Sequence, residues 1–146
     1  MTVAQADPYD LHRFVEAQDP VYDHVCLELK RGHKAGHWMW FIFPQMAGLG
    51  TSEMAMRFAI SSLREAEAYM QHPVLGRRLK ECAAQVLQVS GKTAHEIFGS
   101  PDDLKFRSCM TLFARVKEMK AGNVFTDNIE KYFNGEYDRL TMDRLR

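Results

Sequence analysis

Helix-start signals punctuate this chain at short intervals, and their spacing constrains the fold more than any other feature. Asp7-Pro8 and Asp19-Pro20 each place a capping acid before a proline suited to the first helical position. Thr51 or Ser52, Ser61 or Ser62, and Thr93 hold further cap positions, and Thr141 suits a final turn. His72-Pro73 reads as a break between two helices. In Ser100-Pro101-Asp102-Asp103 a cap and a proline precede two acids that face the positive end of the helix they start.

Apolar residues recur at helical spacing between these signals. Val21, Val25 and Leu29, with Tyr22 and Cys26 alongside, form a stripe that stops at Gly32, a C′ residue. Leu63, Ala66, Tyr69 and Met70 mark the next clear face. Leu75, Leu79, Cys82, Ala83, Val86 and Leu87 follow, up to Ser90-Gly91. Leu104, Leu112, Phe113 and Val116 give another apolar side, and Phe125, Ile129, Tyr132 and Phe133 a last one before Gly135. Strand signals are few and β-α-β alternation is absent. The expectation is an all-α chain, one compact orthogonal helical domain over 1–146, of about six to eight helices. An irregular aromatic segment is expected at residues 36–50.

The 146 residues suit one domain. A chain of that size buries roughly 68–70% of its unfolded surface, so it needs no metal or disulfide to fold. Lys plus Arg equals Asp plus Glu, 19 of each. With no net charge there is no global field toward a duplex or an anionic membrane, so any anion must be held locally. MTVAQADPYD has neither the basic nor the apolar region of a signal peptide. The apolar run 38–43 is far below the roughly 20 residues of a membrane helix. Cys26, Cys82 and Cys109 are widely spaced, and no C-x-x-C occurs. A reducing cytoplasm is the expected location.

The stretch KRGHKAGHWMWFIFPQ, Lys30 to Gln45, concentrates the chemistry. Lys30, Arg31, His33, Lys34 and His37 can attract an anion, and the aromatic run follows at once. Lys34 and His37 suit phosphate contact, Trp38 or Trp40 can stack on a flat ring, and Gln45 can read a polar edge. Residues 38–43 are too short a run to assign by period: Trp, Phe and Ile favour a strand, and a buried turn or short helix suits them equally. In an extended segment Trp38 and Trp40 would share one side, with Phe41 and Phe43 divided from them. The competing reading makes all four rings core. His33 and His37 have metal-ligand spacing, but the glycines around them and the want of a third ligand argue against a metal. On the Ser-Pro-Asp-Asp helix, Lys105, Ser108, Cys109 and Leu112 share a face. Asp102 and Asp103 are helix-start acids first and candidate acid–base groups second. Ser108 has no histidine in its motif to form a nucleophile–base pair. No Walker loop, G-x-G-x-x-G, H-E-x-x-H or G-x-S-x-G occurs, and no cofactor is expected.

ELKRGHKAGHWMWFIFPQMAGLG, AISSLREAEAYMQHPVLGRRLKEC and IFGSPDDLKFRSCMTLF together make the chain resemble the DUF1810 family of uncharacterised proteins, over about Tyr22 to Leu145. Some of its members carry an automated calpastatin label, which does not suit a chain that reads as compact. The resemblance implies a mostly helical fold and no established activity. At Cys109 the family pattern usually has a second serine, which leaves Ser108 alone here. A fainter similarity to NADAR domains, which act on ADP-ribose-type N-glycosides, rests on Glu67 to Leu75.

Two functions follow as expectations. In one, the chain binds or processes a nucleotide-like anion, ADP-ribose or NAD-related N-glycosides among the candidates. Lys34, His37, Trp38, Trp40, Gln45 and Lys105 would bind it, and Asp102, Asp103 and Ser108 would supply any catalysis. Lys34→Ala should then weaken binding and spare stability. In the other, the chain is a protein-interaction module with its aromatic segment as core or docking surface, helped by nine methionines. No membrane or strong nucleic-acid signal appears, and nothing sets the oligomeric state.

Overall fold

The computed structural model describes residues 6–116 and 122–145. Among them lie ten helices: α1 His12–Gln18, α2 Tyr22–Arg31, α3 Met39–Ile42, α4 Glu53–Arg57, α5 Leu63–Gln71, α6 Leu75–Gln88, α7 Ala94–Phe98, α8 Asp102–Ala114, α9 Val124–Phe133 and α10 Arg139–Arg144. The described residues contain no strand; Met46 and Ile60 form a lone parallel bridge. The fold is all-α, as the punctuation implies. Ten helices exceed six to eight because the chain uses several single turns, one of them inside the aromatic segment. The N-terminal stretch read for a leader includes residues 1–5, which lie outside the described residues.

Cap chemistry explains most boundaries. Ser52 and Ser62 accept from the N–H groups of Ala55 and Glu65. Thr93 forms a capping box with Glu96. Gly32 closes α2 at φ 73, a left-handed geometry that costs a side-chain-free residue little. Other starts shift. The Asp7 carboxylate accepts from Leu11 and His12 N–H and closes a turn ahead of α1. Asp19 pairs with Arg78 at 2.8 Å, and α2 begins only at Tyr22. Pro101, not Ser100, occupies the position before α8, with no side-chain cap. Thr141 does not cap α10: Asp138 does, accepting from both its N–H and its hydroxyl.

Of the forms open to the aromatic run, the chain takes the short helix, α3. Helical geometry swings residues about the axis instead of alternating them. Met39, Phe41 and Ile42 therefore bury together with Trp38 and Phe43, and Trp40 remains half-buried. Gln18, itself buried in α1, donates to the Phe41 carbonyl at 2.7 Å and pins the turn.

The buried residues form one cluster. Phe43, Phe98 and Phe106 pack ring against ring, with centroids 4.7 to 6.0 Å apart. Helix α8 runs through this core against α5, α7, α9 and α10. It buries Phe106, Cys109, Met110, Leu112 and Phe113. Leu104 departs from the apolar side assigned to it: it is 54% exposed on the first turn of α8.

Candidate functional site

The first turns of α8 meet the segment after the aromatic turn and the start of α10 around a cleft of about 340 Å3. Gln45 and Leu49 form one wall. Leu104, Lys105 and Ser108 form the α8 wall, three residues that helical spacing brings to one face. Asp138 and Leu140 close the third side. The Gln45 carbonyl accepts from Ile60 N–H at 2.9 Å, which fixes that backbone. Its side-chain amide makes no hydrogen bond among the described residues, and the residue lines the cleft.

Lys105 is the cation of the cleft. Its Nζ lies 5.5 Å from the centre of the Trp40 ring and 3.6 Å from Asp102 Oδ1. The ring face and the carboxylate hold the ammonium from two sides. The Ser108 hydroxyl donates to the Leu104 carbonyl at 3.1 Å, one turn back. Its proton is committed to the backbone, and no histidine lines the cleft. Asp138 spends its carboxylate on the α10 cap.

Behind this wall lies a second layer. Lys34 is only 8% exposed at its side chain and sits between Asp102 Oδ2 at 2.8 Å and the Gly36 carbonyl at 2.6 Å. Its backbone N–H donates to the Ile97 carbonyl. Asp102 thus bridges two lysines, one buried and one at the cleft. Trp38 is 3% exposed, and its indole N–H donates to Glu28 Oε1 at 3.0 Å. The same oxygen accepts from Ala35 and Gly36 N–H. Burial pushes the Glu28 carboxyl up, but the Gly36, Ala35 and Trp38 donors with the Lys34 charge outweigh it and hold it below its ordinary value. The basic loop is therefore stapled by one carboxylate.

The residues singled out from the sequence separate into three groups. Gln45, Lys105 and Ser108 line the cleft, with Trp40 beneath Lys105. Asp102, Lys34 and Trp38 form the layer behind. His37 is exposed and lines no part of the cleft, and Asp103 turns to α7, its Oδ2 3.5 Å from His95 Nδ1. Sequence reasoning missed Leu49, Leu104, Asp138 and Leu140. Leu140, 64% exposed in a polar stretch, belongs to no period that could have revealed it. Among the described residues no group of three or more His, Cys, Asp or Glu could hold a metal. No helix among them is long and apolar enough to cross a membrane.

The stretch from Glu67 to Leu75 serves the corner between α5 and α6. His72 Nδ1 accepts from Val74 and Leu75 N–H at the start of α6, and none of the stretch lines the cleft. That local duty accounts for its His-Pro without a shared activity.

The structure is similar to the crystal structure of the conserved hypothetical protein Rv1873 from Mycobacterium tuberculosis. The TM-score is 0.92 and the identity 55%, over 95% of this chain and 98% of that one. No curated protein matches the chain. The family model for a protein of unknown function, DUF1810, matches residues 8–145. With nearly the whole chain matched, this protein belongs to the DUF1810 family.

Proposed function

We propose that the cleft binds a small nucleotide-like anion: a flat ring carrying at least one negative group. The observation that carries this reading is Lys105, held over Trp40 on one wall of a cleft that Gln45, its amide unpaired among the described residues, also lines. The ammonium meets the anion, the amide reads the polar edge of the ring, and Leu49, Leu104 and Leu140 cover its faces. A volume near 340 Å3 lies at the low end of the roughly 300–1,000 Å3 of ligand pockets, which favours a mononucleotide-sized ligand over a full ADP-ribose. Binding is favoured over chemistry, because the Ser108 proton is spent on a carbonyl and the cleft holds no imidazole base.

A thermal-shift panel of nucleoside monophosphates and sugar phosphates tests this. A ligand at 100 times its dissociation constant should stabilise the protein by about 2.7 kcal/mol. Lys105→Ala and Gln45→Ala should abolish the rise in Tm while leaving the unliganded Tm nearly unchanged. A flat wild-type response across the panel would sink the proposal, as would a shift that both variants retain.

One observation favours a second reading. Leu104 and Leu140, both lining the cleft, are 54% and 64% exposed, an apolar rim suited to a protein partner. A flat panel together with a defined complex lost on Leu140→Glu would support that reading instead.

A further inference from the structure

Two contacts place the Arg144 side chain between α10 and the loop after the aromatic turn. The first is helical spacing. Arg144 follows Leu140 by four residues on α10, and residues four apart share a helix face. Leu140 lines the cleft, so the Arg144 stem leaves α10 on the cleft side.

The second contact is with Gly48, which precedes the cleft-lining Leu49 and Gly50. A Cβ at Gly48 would collide with Arg144 Cζ and stand 2.6 Å from both Nη1 and Nη2. Equal distances to the two nitrogens, with the carbon nearer, mean that the guanidinium lies face-on against the glycine. Gly48 holds φ 92, a conformation that favours glycine, and its missing side chain leaves the room that the flat group takes. Arg144 is exposed, and among the described residues no hydrogen bond or ion pair takes its N–H groups. Its planar face is seated while its donors stay free.

The charge of the cleft gives those donors a use. The lining holds one cation, Lys105, and one anion, Asp138, so it carries no surplus. Behind it, Lys34 and Asp102 cancel in the same way. An anion held there needs a further cation, and Arg144 supplies one beside Leu49, Gly50 and Leu140.

We propose that Arg144 is the phosphate-binding group of this site and that the ligand is a phosphate monoester in its dianionic form. The inference rests on the nucleotide-like reading of the cleft and narrows it from any anion on a flat ring to a terminal phosphate. The planar fork of a guanidinium takes two phosphate oxygens at once, whereas an ammonium acts as a point charge. Arg144 grips two oxygens from the α10 side, and Lys105 meets the third from the α8 side. A monoester has three terminal oxygens and a charge of about −1.5 to −2 at pH 7, enough for both cations. A phosphate diester offers fewer oxygens and less charge.

Isothermal titration of the full-length chain with AMP, GMP, CMP and UMP at pH 7.5 tests this, with the phosphate methyl ester of each as the singly charged comparison. The wild type should bind at least one monophosphate on the order of ten-fold more tightly than its methyl ester. That affinity should fall at pH 5.5, where the phosphate regains its second proton, lost near pH 6. Arg144→Gln should weaken the monophosphate on the order of ten-fold and shrink its preference over the ester, with the unliganded Tm unchanged. Arg144→Lys keeps the charge without the fork and should recover only part of the loss. Arg139→Gln removes the same charge from the same helix, off the face that Leu140 and Arg144 share, and should change nothing. The inference alone is overturned if a monophosphate binds the wild type and Arg144→Gln binds it as tightly. The same holds if the ester binds as well as the monophosphate, or if Arg139→Gln costs as much as Arg144→Gln. A wild type that binds none of the four overturns the reading of the cleft and this inference with it.

Discussion

At the scale of single residues, Glu28, Gly76 and Lys34 bear more than their positions in the sequence suggest. Glu28 gathers two backbone N–H groups and the Trp38 indole onto one oxygen. Glu28→Ala leaves those donors without their acceptor and should cost about 1–3 kcal/mol at neutral pH, read by chemical denaturation. The folded-state value of this carboxyl lies below its ordinary 4.5. Its contribution is therefore complete above that value and fades as pH falls through the lower, folded one. The gap in stability between wild type and Glu28→Ala should accordingly narrow on acidification below 4.5; a gap that widens there would contradict the staple. Gly76 sits where a Cβ would come 2.1 Å from the Met70 carbonyl oxygen. That neighbour is backbone and cannot rotate away, so Gly76→Ala should cost about 3 kcal/mol and lower the Tm several degrees. Lys34 reverses an expectation. From the sequence, Lys34→Ala should spare stability. Its nearly buried ammonium instead joins Asp102 to the Gly36 carbonyl, so the substitution should cost about 2 kcal/mol in a denaturant titration.

At the scale of elements, side chains from one helix satisfy the open end of another. The last carbonyls of α6 run short of backbone donors, with Val86 alone met by the Val89 N–H at 3.2 Å. Helix α9 supplies donors: Lys131 Nζ reaches the Leu87 carbonyl at 2.6 Å and the Val89 carbonyl at 2.5 Å, and the Tyr132 hydroxyl reaches Val86 at 2.5 Å. Asn128 adds a bond to the Ala83 carbonyl. Tyr132→Phe keeps the ring and deletes one donor, so it should cost about 1 kcal/mol, with hydrogen exchange rising first at the end of α6. Helix α1 is clamped to α5 by Arg13 and Glu65, 3.0 Å apart with Glu65 3% exposed. Ser61 donates to the same carboxylate through both its N–H and its hydroxyl. Removing Glu65 alone would strand a guanidinium among carbonyls. Glu65→Ala should therefore cost about 3–5 kcal/mol, the usual penalty for breaking a buried pair from one side.

At the scale of the whole molecule, the division between core and cleft follows from α8 serving both. Its middle lies in the aromatic core, while its first turns carry Lys105 and the exposed Leu104. Most helix positions were legible in the sequence, because caps and apolar periods are local. Ser62, Thr93, Gly32 and the break at His72-Pro73 act within a turn or two of themselves, and local rules describe them. Cys82 and Tyr22, Glu28 and Trp38, and the three walls of the cleft were not legible in the same way. Their partners come from separate elements, and no period marks such a meeting. Even charge sign misled: the five-cation stretch suggested free ligands, yet one member, Lys34, is spent on Asp102. The sequence alone determined that this chain would be helical, where most of its helices would break, and that its net charge supplies no global field. Tertiary structure alone decided which lysine faces an opening, which indole is core, and which hydroxyl the Cys82 thiol meets. Local backbone preferences are encoded within a few residues; the neighbours of a side chain are chosen only when distant helices bury their faces together.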